Sequence, residues 1–243
     1  MSTAQAPRVV IALDFANPMR ALGLAERLDP HDCGLKVGNE LFTRAGPDPV
    51  RWMIDRGFNV FLDLKFHDIP NTVAQACAVA TRLGVWMLNV HASGGATMMR
   101  AARAAADEEA ARRSRPAPLV IAVTMLTSFD QPALAEIGLQ ASVADQVGRL
   151  AALTEACGLD GVVASAHEID IIRRRCHGSF AIVTPGIRGA SDQRGDQSRT
   201  MSAAEALTAG ATYLVVGRPI VEAADPRAAA ERLAAECRLT LES

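Results

Sequence analysis

The chain has 243 residues, 49% hydrophobic and 21% charged, which supplies core enough for one large domain or two small ones. A net charge of −2 and a pI near 6.2 leave no basic face for nucleic acid, and one tyrosine, two tryptophans and seven phenylalanines leave no base-stacking platform. No apolar run nears the ~20 residues of a membrane helix, residues 1–8 show no signal-peptide core, and the scattered Cys33, Cys77, Cys157, Cys176 and Cys237 have no CxxC spacing, so a soluble cytoplasmic protein is expected.

The chain alternates short apolar runs with longer amphipathic stretches. A strand over 9–14 is followed by a helix over 18–28. A strand over 35–38 precedes a helix over 49–56, and one over 60–66 precedes a helix over 72–83. Strands over 87–92, 119–126 and 161–165 precede helices over 96–113, 143–157 and 168–175. Strands over 181–187 and 213–220, with helices over 203–209 and 226–237, complete the set. The strand runs are rich in Val, Ile and Leu without clean alternation, the pattern of parallel strands buried on both faces. Several helices follow Asn, Ser, Asp or Pro, which mark helix starts. Eight such units in one chain predict a (β/α)8 TIM barrel, a single domain over 1–243 with residues 1–7 as a short polar extension. The competing architecture, a doubly wound open sheet, favours a GxGxxG turn, which the sequence lacks.

Two lysines, Lys36 and Lys65, stand against 23 arginines. Both occupy apolar, strand-like positions. An ammonium can give up a proton, whereas a guanidinium effectively cannot. The two positions therefore suit a chemical task closed to arginine; composition bias with snorkelling amines is the bland alternative.

Active sites of such barrels sit at the C-terminal strand ends. Those ends carry Asp14, Lys36, then Asp63 and Lys65 followed by His67 and Asp68, then Thr127 and Ser128, Arg188, and Gly217-Arg218. Asp63 and Lys65 are two apart on a strand and so project to one side. With Lys36 beside them and Asp68 beyond, they form an alternating array that holds only if each charge is paired. A structural ion-pair network is the alternative reading of that array. Asp14 could serve as a helix cap, and His67 suits a loop or packing role better than that of a general base. Two ammonium groups among carboxylates oppose a divalent cation, so no metal site is assigned. Gly186, Gly189 and Gly217 with Arg188 and Arg218 suit phosphate, which barrels often bind after strands 7 and 8. The polar segment 189–200 reads either as a ligand-closing lid or as a surface loop. The cluster Asp107-Glu108-Glu109 with Arg112-Arg113 reads as a solvated helix face.

The segment Asp63-Leu64-Lys65-Phe66-His67-Asp68-Ile69-Pro70-Asn71-Thr72 closely resembles the signature of the orotidine 5′-phosphate (OMP) decarboxylase family. The resemblance extends through Ala12-Leu13-Asp14-Phe15, Leu35-Lys36-Val37-Gly38, 123–128, 184–188 and 216–220, in the expected order. It implies conversion of OMP to UMP without a cofactor. Lys65 would be the proton donor to C6, and Lys36, Asp63 and Asp68 would complete a charged tetrad. Asp14 and Lys36 would contact ribose hydroxyls, Thr127 and Ser128 would lie near the base, and Arg188, Gln197, Gly217 and Arg218 would hold the phosphate. The whole ten-residue signature would border the substrate. Asp68 and Thr72 would reach into a neighbouring subunit's site, which implies a homodimer. Related sugar-phosphate barrels, which resemble one another in a strand-2 glutamate and magnesium, share the bare D-x-K-x-x-D. Lys36 at that strand-2 position favours the metal-free reaction over a metal-dependent decarboxylase or aldolase. A non-catalytic nucleotide-binding barrel is the third alternative.

Overall fold

The eight apolar runs pair as parallel strands in chain order. They are β1 (Val9–Ala12), β2 (Cys33–Gly38), β3 (Val60–Phe66), β4 (Met87–His91), β5 (Leu119–Val123), β6 (Gly161–Val163), β7 (Ala181–Pro185) and β8 (Tyr213–Val216). β8 pairs back onto β1, so the sheet closes into a (β/α)8 TIM barrel. The structure is a computed structural model and describes residues 6–187 and 201–242. Around the sheet run α1 (Pro18–Ala25), α2 (Asn39–Ala45), α3 (Asp48–Asp55), α4 (Pro70–Leu83), α5 (Gly95–Arg112) and α6 (Gln131–Glu136). The ring continues with α7 (Val143–Ala156), α8 (Ile169–Arg173), α9 (Ala203–Ala209), α10 (Arg218–Val221) and α11 (Pro226–Glu242).

Side chains alternate along each strand and divide the core into two shells. Val10, Phe61, Met87, Ile121, Val183 and Val215 pack together inside the barrel. Their neighbours Val9, Ile11, Leu62, Leu88, Val120, Ile182 and Leu214 face the helices. Phe61 is the largest inner side chain and closes the barrel beneath its mouth. Truncating such a residue costs about 3–5 kcal/mol. The opposite end is held by Arg173, whose guanidinium donates to the Phe180 carbonyl at 2.7 Å and to the Gly210 carbonyl at 2.6 Å. Trp86 packs edge-on to Tyr213 there, with ring centroids 5.0 Å apart.

Several strands end earlier than their apolar runs predict. β5 stops at Val123 rather than 126, and β8 stops at Val216 rather than 220. The backbone leaves the ladder where the adjacent strand offers no further partner, and the remaining apolar residues line the mouth. Arg218 is therefore the first residue of α10, with Pro219 in the first turn, where its missing N–H costs nothing. Glu109 departs from the expected solvated face. It is buried between α4 and α5 and accepts from Arg82 at 3.0 Å and Arg113 at 2.7 Å.

Candidate active site

Above Phe61 the C-terminal ends of the strands enclose a cavity of about 750 Å³. Ala12, Phe61, Val163 and Val215 form its apolar floor. Asp14, Lys36, Asp63 and Lys65 make one wall, and Pro185, Gly186, Gly217 and Arg218 make another. Met125, Leu126 and Thr127 border it from the loop after β5. Gly186 has φ +81°, a left-handed backbone that a side chain disfavours, so glycine there lets the chain turn at the rim.

The charged wall is a continuous row on the adjacent strands β2 and β3 and the loop after β1. Lys36 Nζ lies 3.2 Å from Asp14 Oδ1 and 3.2 Å from Asp63 Oδ2. Asp63 Oδ1 accepts from Lys65 Nζ at 2.7 Å. Burial opposes the charge on Lys36 most strongly, but Asp63 and Asp14 together outweigh it and raise its pKa. Burial likewise opposes the charge on Asp63. Lys36, Lys65 and the hydrogen bonds from Lys65 and Asn89 overcome it, so its carboxyl lies below the usual range. Lys36 and Asp63 thus stay ionised in a largely desolvated wall, flanked by the half-buried Lys65 on one side and the exposed Asp14 on the other.

Lys65 does not follow the simple two-residue alternation of a strand. Its φ is +53°, and the pairing of β3 with β4 shifts between Leu62 and Phe66. Asp63 and Lys65 still meet on one side, but through this irregularity rather than through regular pleating. Asn89 lies behind them, fully buried, and donates from Nδ2 to Asp63 Oδ1 at 2.7 Å. Strand ends do not reveal it because it sits mid-strand; its signal is a polar residue in the middle of the otherwise apolar stretch Met87–Val90. Gly38 is a second residue missed. A methyl group on it would lie 3.2 Å from Lys36 Nζ and 3.4 Å from Asp14 Oδ1.

Other expected residues fall differently. Asp14 pairs with Lys36 and is not a cap; Asn17 caps α1 by accepting from the Met19 N–H. Asp68 does not join the row of its own chain: it is exposed, and its carboxylate accepts from the Ile69 N–H at 2.6 Å. Asn71 and Thr72 are exposed in the first turn of α4, just after Pro70. Leu64 and Phe66 turn away from the cavity and pack on the core shell beneath the helices. His67 is exposed, its ring 5.4 Å from that of His91. Burial first, then His67 and Lys65, lower the His91 pKa. Ser128 is exposed, whereas Thr127 borders the cavity. Arg188, Gly189 and Gln197 lie outside the described residues, as does the rest of the 189–200 segment. Among the described residues no group of three or more His, Cys, Asp and Glu side chains could hold a metal ion.

The fold and its charged mouth define a TIM-barrel protein built around a small-ligand cavity. The chain belongs to the orotidine 5′-phosphate decarboxylase / HUMPS family, whose sequence model matches residues 7–233. It is 54% identical over 233 residues to an orotidine 5′-phosphate decarboxylase of Moorella thermoacetica, covering 96% of this chain and 92% of that one. The protein of that name from Legionella pneumophila (strain Corby) is 51% identical over 220 residues, covering 90% and 94%. Among solved structures, the orotidine 5′-phosphate decarboxylase of Lactobacillus acidophilus superposes with a TM-score of 0.84 at 36% identity, covering 96% of this chain and 99% of that one. An uncharacterized conserved protein of Geobacillus kaustophilus superposes with a TM-score of 0.82 at 38% identity, covering 94% and 99%.

Proposed function

We propose that this chain is a carboxy-lyase of pyrimidine biosynthesis that converts OMP to UMP without a cofactor, working from one barrel domain in the cytoplasm. The observation that carries the reading is the row Asp14–Lys36–Asp63–Lys65, which ends in a lysine at the cavity wall. Breaking the bond between C6 and the carboxylate leaves an electron pair on C6, in the ring plane and outside the π system. The Lys65 ammonium stabilises that pair electrostatically and then transfers a proton to it, and the neutral amine recovers its proton from water. Asp63 holds Lys65 in place from 2.7 Å, and Lys36 balances Asp63 from 3.2 Å. Arg218 and Gly217, at the opposite wall, suit the phosphate, with Arg188 and Gln197 assigned to the same group by family resemblance. Binding energy from that remote phosphate can be used to desolvate the reacting carbon. Free, buried cysteines fit a reducing compartment, and no helix of the described residues is long and apolar enough to cross a membrane.

The same reading makes the working unit a homodimer. Asp68 and Thr72 are exposed beside Ile69, an apolar side chain 67% exposed, and Asp68 is not part of the row on its own chain. We assign Asp68 and Thr72 to the partner's cavity. Mixing inactive Lys65→Ala and Asp68→Ala subunits should then restore part of the activity through hybrid sites; no recovery after confirmed subunit exchange sinks this assignment. The function itself is tested by following OMP loss at its ultraviolet band in the presence of EDTA. Steady conversion to UMP is expected, and chelator-sensitive turnover points instead to metal-dependent chemistry. UMP binding without turnover points to a non-catalytic barrel.

A further inference from the structure

Asn89 lies at the centre of β4, inside the barrel and behind the charged row. Met87 before it faces the inner shell, and Leu88 and Val90 on either side face the helices. A fully buried amide is tolerated only where its donor and acceptor groups are satisfied. Asn89 directs both ends of its amide at β3. Its Nδ2 donates to Asp63 Oδ1 at 2.7 Å, and its Oδ1 accepts from the Lys65 backbone N–H at 2.8 Å. The orientation of the amide follows from the chemistry: an ionised carboxylate only accepts and a backbone N–H only donates, so one flip satisfies both.

The pairing register shows what these bonds replace. Leu62 stands opposite Leu88 and Phe66 opposite Val90, so Asp63, Leu64 and Lys65 share the single residue Asn89 as their counterpart. The backbone ladder is broken there, and the Asn89 side chain supplies the partner that the Lys65 N–H lacks. Lys65 takes a left-handed backbone at φ +53°, a conformation that persists in an L-residue only where its surroundings impose it. Such an irregularity re-aims a side chain at the barrel rim. The donor end of the amide also fixes the rotation of the Asp63 carboxylate. Oδ1 receives both Asn89 and Lys65, which leaves Oδ2 for Lys36.

We infer that Asn89 is a positioning residue for the decarboxylation, holding the reversed backbone at Lys65 and the carboxylate plane of Asp63 so that the Lys65 ammonium meets the substrate carbon. The inference rests on the decarboxylase reading for its kinetic consequence, but not for its geometric one. Asn89 is fully buried and is not in the cavity wall, so it acts through Lys65 and Asp63.

The test compares wild type with Asn89→Ala and the near-isosteric Asn89→Asp, measuring kcat, KM and UMP affinity from pH 5.5 to 9. Asn89→Ala should lose about 100-fold in kcat, the scale of a 1 Å misplacement. KM and UMP affinity should move by no more than about threefold, because ground-state contacts are untouched. Asn89→Asp sets a carboxyl against Asp63, with Lys65 also on β3, Lys36 beyond Asp63 on β2, and His91 two residues along β4 near His67. Two carboxyls at that distance share a proton, which restores the lost donor. Its kcat relative to wild type should therefore fall as pH rises, a signature that loss of stability alone does not produce. If Asn89→Ala fails to fold, the pH profile of Asn89→Asp decides. A kcat within about threefold of wild type for Asn89→Ala, or an Asn89→Asp profile parallel to wild type, overturns the inference. If wild type does not turn over OMP, the functional reading falls, and a crystal structure of either variant decides the positioning claim. A Lys65 φ still near +53° with the Asp63 contact intact overturns it.

Discussion

Replacing Lys36 with methionine separates the two lysines by their consequences. The substitution keeps most of the volume and removes one charge from the middle of the row. Lys36 Nζ has two partners, each at 3.2 Å, and they differ in exposure. The Asp14 side chain is 66% exposed and rehydrates when released, so its pair contributes at most about 1 kcal/mol. The Asp63 side chain is 11% exposed and cannot rehydrate in place. Orphaning a buried charge costs about 3–5 kcal/mol. Asp63 nevertheless keeps Lys65 and Asn89, each at 2.7 Å, so the cost should lie at or just below the lower end of that range, about 2–3 kcal/mol. For a chain of this length that is a fall in Tm of about 5–10 °C. The Lys36 pKa is raised in the folded state, so its contribution is complete below the unfolded value near 10.5 and is lost as pH rises through the folded value. The gap between wild type and Lys36→Met in urea unfolding should thus be constant near neutrality and close only in strong alkali. Turnover should fall about 100-fold through misplacement while Lys65 remains as proton donor. A destabilisation under about 1 kcal/mol at pH 7, or a gap that closes between pH 7 and 9, refutes the assignment of Lys36 as the buried counter-charge of Asp63.

Lys65→Ala removes both the field at C6 and the proton donor, each worth roughly 10²-fold or more, so OMP turnover should drop by at least about 10⁴ with the fold retained by circular dichroism. Lys65→Arg should recover little of that loss, because the guanidinium keeps its proton; recovery to within tenfold of wild type contradicts a proton-transfer role. Asp63 has a lowered carboxyl pKa, so its contribution to stability is present above the unfolded value near 3.8 and lost as pH falls below it. Stability curves of wild type and Asp63→Asn should therefore converge only in that acid range, and convergence above pH 5 contradicts the pairing. Gly38→Ala needs no change of backbone, since φ −95° and ψ −176° are open to any residue. Its methyl crowds Lys36 Nζ at 3.2 Å, so a cost of about 1 kcal/mol and a tenfold loss in kcat/KM are expected. Wild-type kinetics at that position would show that the row has slack.

The barrel was legible in the sequence because strands buried on both faces read as continuous apolar runs, and eight of them alternate with amphipathic stretches. Strand ends were less legible. Whether Met125 or Ile187 continues a ladder depends on where the neighbouring strand stops, which is not a local property. α2 and α6 escaped notice because both are short, seven and six residues with one buried side chain each, too short to show an apolar stripe. In the site, Lys36, Asp63 and Lys65 stood out by rarity and spacing. Asn89 did not, since a lone asparagine in an apolar strand acquires meaning only when β4 is laid against the irregular end of β3. Glu109 shows the converse error. A run of acidic and basic residues reads as a solvated face, but the arginine that buries it, Arg82, comes from another helix.

The two lysines resist arginine for different physical reasons. At Lys65 the reason is chemical, because the proposed step moves a proton from nitrogen to carbon and a guanidinium holds its proton too firmly. At Lys36 no proton need move, and the raised pKa keeps the amine charged. There the geometry decides. One nitrogen meets a carboxylate on each side at 3.2 Å, and even a methyl group on Gly38 would stand only 3.2 Å away. A planar fork of three nitrogens is wider than that gap and would displace Asp14, Asp63 or the backbone at Gly38. Shifting Asp63 would move the partner of Lys65, 2.7 Å from it, and so carry an error in size at one lysine to the point of chemistry at the other.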